Sequence, residues 1–361
     1  MQFLYWLEKI RNPVFDFIFS AITHLGDETA FLTVAILIFW CINKRHGYFV
    51  LTSGLFGTVL NQAMKLLCKI PRPFVRDTSF TIVESAREGA GGYSFPSGHS
   101  QNAASTFGAI FLTTKKLWLK ITCGVIAGLV MFSRMYLGVH TPWDVIAGAS
   151  SAIVILLLLE DVFKKEELFN KVMPFFVGGL FLLTVGYFVY AMFFVELPAE
   201  TLNNYDAVLS GKKNACTLLG CSIGLILVYV LDRFVIKFDT KAPWYAQIIK
   251  LAVGLAVVLL IQNLLRSPFE SLMGVYGRIP RYFLMVSFAG AVGPLTFKYF
   301  DKMRIPALDR LGRKVAATRF GKLFVGDEYT EREELPAASK TEEVPTYFGK
   351  NSILKKNKKK R

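Results

Sequence analysis

Long apolar runs separated by short polar or basic connectors occupy the chain up to about residue 300. A helix needs about 20 apolar residues to cross a hydrocarbon layer of about 30 Å, and several of these runs approach that length. The pattern predicts nine membrane helices, at about residues 28–42, 48–67, 98–114, 118–138, 143–159, 172–195, 214–231, 248–265 and 282–298. The predicted fold class is therefore all-α, a polytopic bundle of membrane helices.

The two ends of the chain depart from this pattern. Residues 3–24 are amphipathic and interrupted by Pro13, which predicts a pair of interfacial helices and leaves a partial span open. Residues 301–361 are polar, carry charges of both signs and end in a lysine-rich run at 355–361. This composition predicts a disordered or loosely helical tail.

Composition supports a membrane location. Hydrophobic residues make up 53% of the 361 residues, more than a soluble protein with a single core needs. Much of the net charge of +15 lies in the tail, where it would attract anionic lipid headgroups. No nucleic-acid recognition module is visible, so nucleic acid is not an expected partner, and the sequence names no protein partner. The five cysteines have no paired or metal-like spacing and are expected to be free thiols.

Basic residues in the connectors orient the predicted helices. Lysine and arginine clusters at 44–45, 115–120, 164–171 and 233–241 fall on one side of the nine-helix arrangement, together with the C-terminus. The positive-inside rule makes that side cytoplasmic. We therefore expect a multi-pass plasma-membrane protein with a cytoplasmic C-terminal tail. The non-cytoplasmic face would then contain the loop 68–97, the turn at His140, and the loops 196–213 and 266–281.

One polar stretch, at residues 94–99, has the sequence SFPSGH, which is typical of a loop that turns into a helix. Pro96 interrupts the preceding structure, and Ser97 is a favourable N-cap. A helix N-terminus presents free backbone N–H groups and a partial positive charge. The turn therefore predicts an anion site, which Gly98 leaves open to the backbone. His99 would lie beside the anion with a group that exchanges protons near neutral pH.

Two further stretches contain the cations and the second histidine that phosphate chemistry requires. Upstream, Lys65 and Arg72 are separated by six residues; downstream, Arg134 precedes His140 and Asp144. Three cations can neutralise phosphate oxygens without a metal ion, and arginine does so through paired hydrogen bonds. An arginine inside an apolar run is also costly to bury, which favours a functional reason for Arg134.

The spacing of His140 and Asp144 predicts an oriented nucleophile. Thr141 can cap the next helix and Pro142 can begin it, which places Asp144 in the first turn. From there the carboxylate can reach the imidazole, fix its tautomer and stabilise the cation formed on attack at phosphorus. His99 would protonate the leaving oxygen and then activate water. The alternative is a structural pair or half of a metal site, although no carboxylate and histidine cluster is visible that would complete one.

Taken together, the three stretches resemble the signature of the type 2 phosphatidic acid phosphatase family, which shares its core fold with the vanadium haloperoxidases. The resemblance covers about residues 27–162 and implies a six-helix phosphatase core that uses no metal or cofactor. It implies the same roles for His140 as nucleophile, Asp144 as orienting group and His99 as general acid. The remaining signature residues would bind phosphate: Lys65, Arg72, Ser97, Gly98 and Arg134.

The resemblance also divides the chain. Residues 1–26 would form N-terminal interfacial helices, residues 27–162 the phosphatase core, residues 163–300 additional transmembrane helices, and residues 301–361 a basic cytoplasmic tail. The order of the added spans is similar to that of extended superfamily members, such as glucose-6-phosphatase and the sphingosine-phosphate phosphatases.

Two features keep alternative interpretations. In the part after residue 162, Arg278 and Arg281 either contact a substrate headgroup or anchor helix ends. The polar loop 74–93, with its glycine cluster, is either a lid or a connector.

These features favour an integral membrane phosphatase that acts through a phosphohistidine. Its substrates would be lipid phosphomonoesters or diphosphates of the polyprenyl diphosphate, phosphatidate or phosphatidylglycerophosphate type, because a site at helix ends is level with lipid headgroups. Three alternatives stay open: a phosphatase for a soluble phosphomonoester, a lipid phosphotransferase, and a non-catalytic transporter or scaffold. The complete set of signature residues argues against the last alternative, and the membrane character argues against a haloperoxidase.

Overall fold

The computed structural model describes residues 1–199 and 204–316, and all regular structure within them is helical. The helices are α1 Gln2–Lys9, α2 Pro13–Thr23, α3 Glu28–Leu37, α4 Lys44–Cys68, α5 Pro73–Arg76, α6 Gly98–Thr113, α7 Leu117–Tyr136, α8 Pro142–Lys164, α9 Glu166–Val189, α10 Tyr205–Leu231, α11 Trp244–Leu264, α12 Arg266–Met273, α13 Arg278–Ser287, α14 Gly293–Leu295, α15 Phe297–Asp301 and α16 Pro306–Ala316. Single π-helical turns follow at Ile38–Ile42, Tyr190–Phe194, Asp232–Ile236 and Phe288–Val292. Short 3-10 turns occupy His24–Gly26, Glu84–Ala86, Glu88–Ala90 and Gly274–Gly277. The predicted all-α fold class is confirmed.

Five helical stretches within the described residues are long and apolar enough to cross a membrane. They are Leu117–Tyr136, Pro142–Lys164, Glu166–Phe194, Tyr205–Ile236 and Trp244–Leu295. A sixth results if Pro13–Gly26 and Glu28–Ile42, which are bent by 53°, form one span. The chain is therefore a multi-pass membrane protein, but the predicted count of nine spans is not confirmed. The predicted spans at 248–265 and 282–298 correspond to one 52-residue stretch that ends at Leu295. Two other predicted spans correspond to α4 and α6, which are not among the stretches long and apolar enough to cross a membrane.

The helices α4 and α6 are more polar than spans that face lipid. α6 has only 16 residues, and much of its first half is polar and buried. In α6 the Gln101 amide nitrogen donates to Ser105 Oγ (3.0 Å), and in α4 Ser53 Oγ donates to the carbonyl of Phe49 (2.6 Å). Buried polar groups need partners inside the protein, so such helices belong in the centre of a bundle. Accordingly, α6 packs against α4, α7 and α8.

The helices after residue 162 pack directly on those before it. The Trp40 indole donates to the carbonyl of Ala289 (2.8 Å), and Lys250 Nζ donates to the carbonyl of Trp40 (2.8 Å). Lys44 Nζ lies 2.8 Å from Asp232 Oδ1, and both side chains are buried. One apolar cluster runs through both parts of the chain. The boundary at residue 162 stays a prediction, and the helices on its two sides share a core.

The N-terminal helices cover the polar loop at 74–93. α2 begins at Pro13 and is capped by Asn12, whose side chain accepts from the Phe15 N–H (3.0 Å), so the predicted helix pair is present. Leu4 and Leu7 of α1 are buried against Phe80 of the loop. Both the loop and these helices are thereby held against the end of α7. Of the tail predicted at 301–361, residues 317–361 lie outside the described residues.

The helices that carry the predicted site residues present alternate ends to one face of the bundle. α4 and α7 end at this face, and α6 and α8 begin at it. The basic connectors at 115–116 and 164–165 lie at the opposite helix ends. Lys44 is also at that end, but its side chain is buried and its charge is paired with Asp232, so it adds little to the charge of the exposed connectors.

Candidate active site

A cavity of about 600 Å³ lies where these helix ends meet. Five of the eight predicted site residues line it, namely Lys65, Arg72, Gly98, His99 and His140. The other three, Ser97, Arg134 and Asp144, lie buried behind that lining. The structure thus brings all eight together, although they come from three separate stretches of the chain.

His140 lies in the turn between α7 and α8, next to the predicted helix start. Thr141 caps α8 and forms a capping box with Asp144, whose Oδ2 accepts the Thr141 N–H (2.7 Å). The same Oδ2 lies 3.6 Å from His140 Nδ1. Ser94 Oγ donates to it (2.7 Å) and lies 3.5 Å from His140 Nδ1. Ser94 therefore helps to hold the pair, a role that the sequence did not indicate.

The contact with Arg72 identifies the tautomer of His140. Arg72 Nη1 lies 2.8 Å from His140 Nε2. A guanidinium can only donate hydrogen bonds, so Nε2 is the acceptor and the ring proton is on Nδ1, toward Asp144 and Ser94. Burial, reinforced by the positive charges of Arg72 and Arg134, holds the pKa of His140 well below its ordinary value. The imidazole is therefore neutral, with the lone pair of Nε2 on the Arg72 side.

Backbone carbonyls hold the two cations from the first stretch. Arg72 donates from Nη2 to Gly91 O (2.8 Å), from Nε to Gly92 O (3.2 Å) and from Nη1 to Val139 O (3.0 Å). Lys65 Nζ donates to Tyr93 O (2.5 Å). Burial lowers the pKa of Arg72 to about 10, which leaves it charged at neutral pH. The glycine cluster therefore presents carbonyls to a cation, and the loop 74–93 forms part of the site wall.

Arg134 carries donors that no described residue accepts. It is 1% exposed, and its Nη1 donates to Thr23 Oγ1 (2.8 Å). Its Nε and Nη2 have no hydrogen-bond partner among the described residues. Buried polar groups are nearly always paired, so two open N–H groups on a buried guanidinium are suited to an anionic ligand.

The N-terminus of α6 is fixed against α8. The backbone N–H of Ser97 donates to the carbonyl of Asp144 (2.9 Å), and Ser97 Oγ accepts from Ser100 Oγ (2.9 Å). Gly98 then begins α6 at the cavity wall. The first N–H groups of a helix have no intrahelical partner, which makes this end an anion site next to the two arginines.

His99 has a partner that the sequence did not reveal. Its Nε2 lies 2.7 Å from Asp27 Oδ1, and the other oxygen of Asp27 lies 2.8 Å from Nδ1 of the exposed His24. Asp27 is the residue before α3 and belongs to none of the three stretches. The only local signal was an acidic residue at the start of an apolar run. The site therefore contains two histidine–aspartate pairs, on His99 and on His140.

The far wall of the cavity comes from helices that carry no predicted site residue. Ser210, Lys213 and Asn214 of α10 and Arg278 of α13 line it, with Glu28 of α3 beside them. The sequence leaves open whether Arg278 contacts a substrate headgroup or anchors a helix end, and in the structure its side chain lines the cavity. Arg281 is instead buried with its Nη1 3.3 Å from Glu270 Oε1. In residues 1–199 and 204–316, no three His, Cys, Asp or Glu side chains form a group that could hold a metal ion.

Two family descriptions match the sequence. The PAP2 superfamily matches residues 45–167, and the transmembrane extension of PAP2 superfamily phosphatases matches residues 216–304. No solved structure gives a significant match.

Individual relatives agree with this assignment. Phosphatidylglycerophosphatase B of Bacillus subtilis is 33% identical over 177 residues, which is 45% of this chain and 82% of the relative. Undecaprenyl-diphosphatase BcrC of the same organism is 32% identical over 148 residues, 40% of this chain and 73% of the relative. Sphingosine-1-phosphate phosphatase 1 of Mus musculus is 25% identical over 276 residues, 72% of this chain and 62% of the relative. With the signature residues gathered around one cationic cavity at the end of a helical membrane bundle, the chain belongs to the PAP2 superfamily of membrane phosphatases.

Proposed function

We propose that this membrane phosphatase hydrolyses lipid phosphomonoesters or diphosphates through a phosphohistidine at His140. The observation that carries the proposal is the unprotonated Nε2 of a neutral, buried imidazole held against the Arg72 guanidinium at the cavity. An imidazole in this state is a nucleophile, and the surrounding cations can stabilise charge on transferred phosphoryl oxygens. The donor set consists of side-chain and backbone N–H groups, so the chemistry proposed here uses no metal ion.

In the first step, the substrate phosphate takes the Arg72 N–H groups away from His140. Lys65, Arg72 and Arg134 then bind its oxygens, with Ser97 and the start of α6. His140 Nε2 attacks phosphorus, the P–N bond forms and the ester P–O bond breaks. Burial and the nearby Arg134 lower the pKa of His99 to about 4, so this step requires the bound phosphate, together with Asp27, to stabilise the protonated imidazole. The proton of His99 then goes to the leaving oxygen, and Asp144 balances the positive charge on the phosphorylated imidazole.

In the second step, water replaces the alcohol. His99 is now neutral and takes a proton from the water as its oxygen attacks phosphorus. The P–N bond breaks, orthophosphate leaves, and His140 regains its lone pair at Nε2. Each histidine returns to its starting protonation state, so the cycle is balanced.

The Asp27 carboxylate positions His99 and stabilises its protonated form in this scheme. We expect Asp27→Asn to lower kcat/KM by about 10- to 100-fold, less than the loss of a complete general acid–base contribution, because His99 itself remains. Loss of the negative charge lowers the pKa of His99, so its acid form is lost at lower pH. The basic limb of the kcat/KM profile should therefore move to lower pH. Asp16→Asn, which removes a carboxylate bonded to Tyr136 (2.8 Å) away from the cavity, is the matched control. An unshifted profile for Asp27→Asn would contradict the role of Asp27.

Lipid substrates and the orientation of the site are part of the proposal. The cavity lies at helix ends, where a lipid headgroup can enter while its tails stay among the helices. The relatives are named for a phosphatidylglycerophosphate, an undecaprenyl diphosphate and a sphingosine phosphate activity. The basic connectors lie at the opposite helix ends, which supports a non-cytoplasmic active site in the plasma membrane and a cytoplasmic tail. We further propose residues 27–162 as the catalytic core and residues 163–300 as added membrane helices.

A phosphate-release screen of the purified full-length chain in detergent with EDTA tests this function. The panel is phosphatidate, phosphatidylglycerophosphate, farnesyl diphosphate, sphingosine 1-phosphate and glucose 6-phosphate. We expect kcat/KM for at least one lipid to exceed that for glucose 6-phosphate by about 100-fold, and EDTA to leave the rate unchanged. Preference for glucose 6-phosphate would indicate a soluble phosphomonoester, and transfer of the phosphate to an added lipid alcohol would indicate a phosphotransferase. Loss of activity with EDTA would contradict the metal-free scheme.

A further inference from the structure

We propose that Lys213 of α10 and Arg278 of α13 form a second anion subsite in the catalytic cavity, which binds a second phosphate group of the substrate. The proposal rests on the proposed function, because the first phosphate is the one that His140 attacks. It gives α10 and α13, which follow the predicted catalytic core, a role in substrate binding. Both side chains line the cavity that contains His99 and His140.

The start of α10 is docked next to the phosphate-binding cations. Gly211 makes this possible, because a Cβ at this position would lie 2.6 Å from the side chain of Leu66, the residue after Lys65. The carbonyl of Gly211 also accepts a hydrogen bond from the Tyr187 hydroxyl (2.9 Å). The first turns of α10, which carry Lys213, are therefore held against the core by close packing.

The second cation is held over the same face of α10. Arg278 begins α13, and its Nη1 donates to Thr217 Oγ1 (3.3 Å). Thr217 follows Lys213 by four residues and so lies on the same side of the helix. At Gly220 a Cβ would lie only 2.3 Å from the carbonyl oxygen of Ile279, so the two helices touch at this level. Lys213 and Arg278 are thus positioned by two packed helices and not by a loose loop.

Charge indicates what these residues bind. No carboxylate of the described residues lies within 4.0 Å of a side-chain nitrogen of Lys213 or Arg278. A single phosphate ester carries up to two negative charges, and Lys65, Arg72 and Arg134 already supply three cations for it. Lys213 and Arg278 add two half-buried cations to the far wall, where Glu28 is the one carboxylate among the described residues of that wall, so this wall carries net positive charge that suits a second anionic group. A cavity of about 600 Å³ has room for more than one phosphate.

The chemistry of a diphosphate fits this arrangement. His140 Nε2 would bond to the terminal phosphorus while the bridging P–O bond breaks, and the second phosphate leaves with the electron pair of that bond. Lys213 and Arg278 would stabilise the negative charge that develops on this leaving phosphate. A phosphodiester elsewhere in the headgroup offers the same charge to the subsite without being the leaving group. A second phosphate is common to both cases, and the substrate comparison below separates them.

The test compares substrates with one and two phosphates on the full-length chain. The ratio of kcat/KM for farnesyl diphosphate to that for farnesyl phosphate should fall about 100-fold in the Lys213→Ala/Arg278→Ala double variant. Lys213→Arg should keep the ratio within about threefold, because the charge is retained. The control is Lys212→Ala. Lys212 does not line the cavity and its Nζ donates to the carbonyl of Met192 (3.4 Å), so this variant should keep the wild-type ratio. The same comparison of phosphatidylglycerophosphate with phosphatidate reports on a phosphodiester.

A fall in either ratio supports the subsite, and the substrate pair that responds identifies the source of the second phosphate. The subsite would be overturned if the double variant lost kcat/KM equally on one- and two-phosphate substrates, or lost none on either. It would also be overturned if the wild type prefers a long-chain aminoalkyl phosphate and Glu28→Gln removes that preference, because the cavity would then recognise a cation.

A binding measurement separates this proposal from the proposed function. In a His140→Ala background, methylene diphosphonate should raise the unfolding temperature in detergent, and the added double substitution should abolish that rise while the response to orthophosphate remains. This result would support the subsite even if no lipid phosphate were hydrolysed. Equal responses of both proteins to methylene diphosphonate would overturn it.

Discussion

Replacing His140 by alanine reduces phosphate release from the best lipid substrate by at least about 10⁴-fold. The size follows from the loss of the nucleophile, since removing the attacking group of a covalent mechanism leaves only binding and electrostatic effects. No other described imidazole takes its place, because Nε2 of His99 is engaged by Asp27 Oδ1. The measurement is initial phosphate release in EDTA at saturating lipid.

The control for this experiment is His46→Ala, which removes a histidine at the start of α4, the end of that helix away from the cavity. It should retain the wild-type rate. A complementary result comes from His99→Ala with farnesyl diphosphate, whose phosphate leaving group has little need of an acid. Rapid acid-free quenching should then trap an alkali-stable phosphoenzyme, since the base for water is missing. If His140→Ala retains a tenth of the activity, or if the trapped phosphate lies on another residue, the proposed nucleophile is wrong.

Replacing Arg134 by methionine lowers kcat/KM by about 10²- to 10³-fold, the usual effect of removing one donor from a transition-state charge site. The same change should not reduce stability. Its Nε and Nη2 have no partner in residues 1–199 and 204–316, and an unsatisfied buried donor costs about 1–3 kcal/mol. Methionine fills similar volume without that penalty. The unfolding temperature in detergent should therefore stay equal or rise while activity falls.

Arg281→Met is the matched comparison for this second prediction. Arg281 is buried to a similar extent and its Nε also lacks a partner among the described residues, but it lies outside the cavity and its Nη1 is paired with Glu270. Its removal should destabilise the protein and leave kcat/KM unchanged. If Arg134→Met destabilises the protein as strongly and loses activity only in proportion to unfolded material, then Arg134 is a structural residue.

Local hydrogen bonding explains which parts of the site were predictable from sequence. Thr141, Pro142 and Asp144 are neighbours, so the capping box that places Asp144 near His140 could be inferred from residue types alone. Asp27 and Ser94 could not be inferred in the same way. Asp27 reaches His99 from 72 positions earlier in the chain, and such a contact depends on how helices pack. Lys213 was missed for the same reason, because nothing near it in the chain marks a site.

Hydropathy along the chain did not predict the number of membrane spans. A polar residue in an apolar run can face either lipid or the bundle centre, and composition does not distinguish these cases. The buried Asn102 and Thr106 belong to α6, which packs centrally, while Leu158 and Phe175 are exposed on outer helices. The fold class depends on the apolar content of the whole chain and was predictable. The number of crossings depends on helix length and contacts and was not.

The contact between Arg72 and His140 has a consequence for selectivity. The lone pair that would attack substrate accepts a hydrogen bond from a guanidinium N–H, which lowers the nucleophilicity of the imidazole. Only a ligand with enough negative charge to draw the guanidinium away can release it. Under the proposed mechanism, carboxylic esters and other uncharged electrophiles at the membrane surface would not do this, so the imidazole would be protected from acylation by the surrounding lipids.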